Sequence, residues 1–131
     1  MNDAAKLLLR VSLGVLILLH GLTKIAAGPT AILGLVAKAG VPEAFGYLVY
    51  VGEVVAPLLV IIGLWTRPAA IVIAINMVVA VLLIHAGQLF TLGREGGWAL
   101  ELQGLYLIVA VVVAMLGAGR YSLGGPSGKW N

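Results

Sequence analysis

The sequence contains no cysteine, and charged residues are scarce in it. The absence of cysteine excludes disulfide exchange, thiol catalysis, iron–sulfur ligation and thiolate zinc sites. Charged residues make up 10% of the chain, against about 25% in average soluble domains. Lysine and arginine are scattered singly, so nucleic acid is not a predicted partner. The sequence also lacks a Gly-rich phosphate loop, a nucleophile elbow and metal-ligand spacing, so no metal site is predicted.

Apolar residues dominate instead and form 62% of the 131 positions. A chain this short cannot hide so much apolar surface from water, whereas a bilayer removes that difficulty. A membrane helix needs about 20 mostly apolar residues. Four stretches qualify, so we predict one transmembrane domain over residues 1–131, with helices spanning about 4–27, 44–65, 68–87 and 97–116. The first stretch lacks a signal-peptide cleavage site and is expected to remain as a helix.

The segments between these stretches define the rest of the predicted fold. The connection after the first helix has apolar residues at helical spacing, which predicts a short amphipathic helix at the membrane surface, over about 30–39. Thr66-Arg67-Pro68 predicts a tight turn that makes helices two and three an antiparallel hairpin. The Gly-rich segment after Gly117 is expected to fray. The predicted fold class is all-α, a four-helix membrane bundle with an interfacial helix between helices one and two.

The distribution of basic residues predicts the orientation of this bundle. Five of them fall at one end, namely Lys6, Arg10, Arg67, Arg120 and Lys129, and three fall at the other, namely Lys24, Lys38 and Arg94. Both termini are therefore expected in the cytoplasm.

Ionisable residues inside the predicted helices are costly in lipid and therefore point to a site. At about 1.5 Å per residue, the candidates for ligand binding or proton relay all fall in the outer half: Glu53, His20, Glu101, Lys24 and His85. Arg10, Asn76 and Arg67 are interpreted as structural, with Arg10 reaching the inner headgroups alongside Lys6. Gln103 is placed on a face away from Glu101.

Each candidate also has a purely structural interpretation. Glu53 is either a ligand or proton group, or half of a salt bridge or a hydrogen-bonded carboxyl. Glu101 fits an ion pair with Lys24 or His85 more often than a functional role. His20 fits a core histidine as well as a partner of Glu53. Haem is disfavoured, because it would need His20 and His85 to face each other across a cavity.

Three short motifs are shared with a known family. They are Leu9-Arg10-Val11 with Gly14, His20-Gly21 and Lys24; Gly52-Glu53 with Pro57-Leu58 and Gly63-Leu64-Trp65-Thr66-Arg67; and Gly96-Gly97-Trp98-Ala99-Leu100-Glu101. In these motifs, over about residues 4–120, the chain resembles the DoxX/DoxD family of small bacterial and archaeal membrane proteins. The resemblance implies a four-helix fold in a prokaryotic plasma membrane and an association with membrane oxidoreductase assemblies. One branch of the family is a subunit of a thiosulfate:quinone oxidoreductase.

Three functions remain open at this stage. The first is a membrane subunit of a respiratory or redox complex, with quinone as the candidate cofactor in an outer-half polar pocket. The second is a structural or assembly subunit that binds protein partners in a larger membrane complex without chemistry of its own. The third is a small-molecule or proton-coupled transporter. This hypothesis is weaker, because the sequence shows neither internal repeats nor broken helices. No catalytic residue is assigned.

Overall fold

The computed structural model describes residues 2–38, 40, 42–84, 101–125, 127–128 and 130–131. All regular elements in these ranges are helical, as the sequence predicts. Helix one is Asn2–Ala27, the surface helix is Thr30–Lys38, helix three is Thr66–Ile84 and helix four is Glu101–Leu116. Helix two is composite and covers Phe45–Ile62. Helices one and two are long and apolar enough to cross a bilayer, and the described parts of three and four are shorter apolar helices.

The four long helices form a ring in which each packs against the next and helix four returns to helix one. The centre is filled by branched and small side chains from all four, including Leu13, Ile17, Val60, Ile73 and Val113. Large apolar side chains cover the outside, with Leu8, Leu82 and Ile108 each more than 60% exposed. This arrangement is that of a bundle solvated by lipid.

Helix two is interrupted where its proline removes a hydrogen bond. Pro57 has no N–H, so the carbonyl of Glu53, four residues earlier, cannot receive its usual helical bond. The helix widens here into a π segment over Val51–Val55, and regular α-helix resumes over Ala56–Ile62. Before it lie a 3₁₀ turn, Glu43–Tyr47, and a single α-turn, Leu48–Tyr50. Single-turn π segments inside helices are often found at functional sites.

The turn between helices two and three lies earlier in the chain than Thr66-Arg67-Pro68. Helix two ends at Ile62 because Gly63 adopts a left-handed conformation, with φ of 76°. Helix three already begins at Thr66, and Pro68 lies within its first turn. Proline is tolerated there, since the first N–H groups of a helix have no partner within it.

The sequence predicts that Arg10 reaches the inner headgroups, but the structure shows it buried in the bundle. Its side chain is 1% exposed, and its guanidinium donates hydrogen bonds to carbonyls at the end of helix two, those of Val60 and Ile61, at 2.9 and 2.6 Å. It also donates to the carbonyls of Ala118 and Tyr121 in the segment after helix four. The planar group with its five N–H donors therefore satisfies helix-end carbonyls that lipid could not.

The segment after Gly117 is packed against the bundle rather than frayed. The buried side chain of Asn131 accepts hydrogen bonds from the backbone N–H and the hydroxyl of Thr66. Leu123 and Gly124 donate backbone hydrogen bonds to the carbonyls of Ile62 and Gly63. The prediction that this Gly-rich segment frays is therefore wrong, because specific hydrogen bonds hold it against the bundle.

Arg67 joins helices three and four at this end. Its guanidinium donates to the carbonyls of Ala114 and Met115, in the last turn of helix four, at 3.0 and 2.9 Å. The free carbonyls of a helix C-terminus attract cations. We call this end of the bundle the tail end and the opposite end the surface-helix end.

Candidate functional site

A buried carboxylate lies at the centre of the polar residues in the surface-helix half. Glu53, in the π segment of helix two, has a side chain that is only 4% exposed. Its Oε2 lies 2.6 Å from the Nζ of Lys24 on helix one, and its Oε1 accepts a hydrogen bond from the Nδ2 of Asn76 on helix three at 3.2 Å. One carboxylate therefore ties three helices together.

The two oxygens of this carboxylate are satisfied to different degrees. Oε1 has the hydrogen bond from Asn76. Oε2 is at ion-pair distance from the Lys24 ammonium but, among the described residues, has no hydrogen-bond donor in good alignment. The separation of 2.6 Å is that of a charge-assisted contact, because the ammonium rotates freely and can point an N–H at Oε2. A carboxylate oxygen has more than one lone-pair site, so Oε2 can also accept a hydrogen bond from a ligand in the cavity.

Glu53 lines a partly open cavity of about 220 Å³, which we call the polar cavity after five of the side chains in its wall. The polar side chains that line it come from helices one, two and four: His20, Lys24, Glu53, Gln103 and Tyr106. The rings of His20 and Tyr106 meet edge to face, with centroids 5.9 Å apart and planes at 78°. The cavity therefore combines one carboxylate with donor groups of four kinds: ammonium, imidazole, amide and phenol.

Close contact between helices one and two fixes the position of Glu53. A Cβ at Gly21 would lie 2.2 Å from the carbonyl oxygen of Glu53, and one at Gly14 would lie 2.9 Å from that of Pro57. Glycine at both positions lets the two backbones touch at the level of the π segment. Tyr50 adds a hydrogen bond from its hydroxyl to the carbonyl of Lys24, at 3.4 Å. Close backbone contact therefore fixes the part of helix two that carries Glu53.

The predicted site residues are brought together only in part. Glu53, Lys24 and His20 line the same cavity, and Asn76 holds Glu53 from the other side. His85 lies outside the described residues. The described part of helix four starts at Glu101, whose side chain lies outside the described part of the structure. Within the ranges described, no group of three His, Asp or Glu residues could hold a metal ion.

Two residues of the cavity were not among the predicted site residues. Gln103 was placed on a face away from Glu101, yet it lines the polar cavity. Tyr106 lies one helical turn further along the same wall and is 9% exposed. Their spacing of three is the signal that could have identified this face.

A second cavity of about 510 Å³, which we call the apolar groove, lies between helices two and three beneath the surface helix. Apolar side chains line it, including Val36, Phe45, Val49, Val72 and Val79. Asn76 and Gly52 form its inner wall, where a Cβ at Gly52 would lie 2.7 Å from the Asn76 side chain. Asn76 thus separates the groove from Glu53.

Comparison with known proteins gives the same family as the sequence motifs. The DoxX family model matches residues 5–86, which include helices one to three and therefore Lys24, Glu53 and Asn76. A protein of Haemophilus influenzae described as uncharacterized is 31% identical over 118 residues, covering 88% of this chain and 84% of the relative. No solved structure matches the chain. Motifs, helical fold and family match agree: the chain belongs to the DoxX family of membrane proteins.

Proposed function

We propose that the chain is a membrane subunit of a redox complex and that its polar cavity binds the headgroup of a quinone. The observation that carries this proposal is the buried Glu53 carboxylate, which lines the cavity beside the Lys24 ammonium. A buried ionisable group inside a membrane bundle is by default a functional candidate.

The residues around the cavity fit the needs of a quinone. Its two carbonyl oxygens require hydrogen-bond donors, and His20, Gln103 and Tyr106 all carry one. The volume of about 220 Å³ is below the range of about 300–1,000 Å³ typical of whole-ligand pockets. A headgroup therefore fits better than an entire lipid-soluble molecule.

In this proposal the chain's own residues position a ligand and move a proton. Lys24 and Asn76 hold the Glu53 carboxylate, so it can take up a proton and release it without leaving its place. The partly exposed Lys24 side chain connects this carboxylate to the surface-helix end of the bundle. A bound quinone supplies the electron couple, and the electrons are exchanged with a partner oxidoreductase subunit.

A second candidate function is that of an assembly subunit without chemistry. It is favoured by the fact that the Lys24–Glu53–Asn76 group joins three helices as a structural network would. Both candidates predict that Glu53 matters, but only the first predicts that it matters for a ligand.

Glu53→Gln separates the two candidates. The protein is purified in native lipids, and bound quinone is extracted and measured per chain, together with the melting temperature. We expect quinone in the wild type and its loss in Glu53→Gln, because the amide replaces a carboxylate oxygen that accepts from a hydroxyl of the reduced quinol and leaves the Lys24 ammonium at the cavity without its counter-charge. Asp3→Asn is the matched control, since Asp3 accepts a hydrogen bond from Arg120 at the tail end.

Quinone absent from the wild type, or retained undiminished in Glu53→Gln, would contradict the headgroup assignment. Co-purification of partner proteins with a quinone-free wild type would support the assembly subunit instead.

A further inference from the structure

The apolar groove has the size and lining of a binding site, although the proposed function does not use it. Its volume of about 510 Å³ is within the range of about 300–1,000 Å³ typical of ligand pockets. Phe45, Leu48, Ile75 and Val79 line it and are still between 40% and 58% exposed. In a membrane protein, such an opening faces hydrocarbon rather than water.

We propose that the groove binds one acyl chain of an anionic phospholipid that enters from the surface-helix end. The groove lies beneath the surface helix, which contributes the buried Val36 to its lining and carries the exposed Lys38 two residues later. A phospholipid combines the same two features, with a charged headgroup at the membrane surface and a chain directly below it. Basic residues at a membrane surface attract anionic headgroups.

The depth of the groove also fits an acyl chain. Val79 and Val72 lie on one face of helix three and are about 10 Å apart along its axis. The groove therefore runs inward from the membrane surface, in the direction of a phospholipid chain. A prenyl chain has no charged group to match Lys38.

An acyl chain in the groove would contact the inner wall formed by Gly52 and Asn76. The amide of Asn76 donates to Glu53 on the far side of that wall. The bound chain keeps water from this hydrogen bond, so the lipid supports the position of the carboxylate. The binding site itself depends only on the groove and not on what the polar cavity holds.

Photolabelling of the whole protein in vesicles tests this site. The vesicles consist of phosphatidylcholine with a small fraction of phosphatidylglycerol that carries a diazirine in one acyl chain. After irradiation, labelled positions are mapped by mass spectrometry. We expect Ile75 and Val79 to be labelled several-fold more than Ile71 and Val78, which have similar exposure on the same helix but do not line the groove.

Neighbouring valines provide a matched pair of variants. Val79 and Val78 are 40% and 42% exposed, and only Val79 lines the groove. Val79→Trp should remove the excess labelling at Ile75, whereas Val78→Trp should preserve it. If Val79→Trp fails to fold, Ile75→Trp, read out at Val79, with Ile71→Trp as its control makes the same test. Lys38→Gln should reduce the preference for phosphatidylglycerol over phosphatidylcholine carrying the same diazirine.

Three results would overturn the proposal. One is equal labelling of the four positions on helix three, which would indicate bulk lipid. Another is the same loss of labelling in both tryptophan variants. The third is stronger labelling of the groove by a diazirine-bearing prenyl quinone than by phosphatidylglycerol. Because this readout uses no redox activity, it can succeed or fail independently of the quinone headgroup.

Discussion

Lys24 and Glu53 form an ion pair of unequal burial. The lysine side chain is 35% exposed and the glutamate side chain 4%. The aliphatic stem of Lys24 lies along helix one while its ammonium reaches inward to the carboxylate. Removal of the lysine leaves the less exposed partner without its counter-charge, which is the costly way to break such a pair.

A double-mutant cycle measures this dependence. Breaking a fully buried pair costs about 3–5 kcal/mol, and the partial exposure of Lys24 lowers our expectation for Lys24→Met to about 1–3 kcal/mol. The same change in a Glu53→Gln background should cost less than about 1 kcal/mol, because the counter-charge is gone. Reversible unfolding in mixed micelles, followed by circular dichroism, gives both values. Equal costs in the two backgrounds would show that the pair is not coupled.

At the residue scale, the sequence was enough to predict which charged residue is buried, but not which residue it pairs with. The cost of charge in lipid was enough to single out Glu53. Its pairing with Lys24 depends on the rotation of helix one relative to helix two, which is set by Gly14 and Gly21 against carbonyls of helix two. Gln103 was not predicted because the face of helix four was assigned from Glu101 and not from the spacing of three between Gln103 and Tyr106.

The π segment shows how one residue shapes an element. Pro57 leaves the Glu53 carbonyl without its helical donor, and the helix widens over Val51–Val55. The residue that loses its backbone bond is the same one that carries the buried carboxylate. The four-residue spacing of Glu53 and Pro57 in the sequence already indicates that the Glu53 carbonyl loses its helical donor. Only the structure shows that this carbonyl lies against Gly21 of helix one.

Gly21→Ala should disturb this element strongly. The added Cβ would lie 2.2 Å from a backbone oxygen that cannot move aside like a side chain. We expect a loss of about 1–3 kcal/mol in unfolding free energy, as for overpacking in a core. Gly34→Ala in the surface helix is the control, since nothing lies within 4 Å of its Cβ position. It should be neutral, or stabilising by up to about 1 kcal/mol. Similar effects of the two alanines would argue against close backbone contact.

At the scale of the whole molecule, hydropathy predicted the helical bundle but not the closure of its tail end. The four apolar stretches follow from the cost of unpaired backbone groups in lipid. The fold-back of the described tail residues, 118–125, 127–128 and 130–131, depends instead on specific hydrogen bonds, such as those that Thr66 donates to the Asn131 side chain. These contacts join positions 65 residues apart, and no local periodicity encodes them.

The orientation of the bundle in the membrane remains a prediction that the lack of cysteine makes simple to test. Single cysteines replace Lys38 at the surface-helix end and Arg120 at the tail end, both exposed positions. With both termini in the cytoplasm, a membrane-impermeant maleimide should label Lys38→Cys in intact cells and Arg120→Cys only after permeabilisation. The reverse pattern would mean that the basic-residue distribution predicts the wrong orientation.

The hydrogen bonds of Arg10 have a consequence for the order in which the protein is made. Its acceptors at Val60 and Ile61 are translated about 50 residues after it. The acceptor at Ala118 follows 108 residues after Arg10. When the first three helices have been translated, the Arg10 guanidinium therefore has only two of its four carbonyl acceptors, those of Val60 and Ile61. The guanidinium must therefore stay near lipid phosphates or within the insertion machinery until Ala118 and Tyr121 have been made, so the bundle closes around Arg10 only after helix four has entered the membrane.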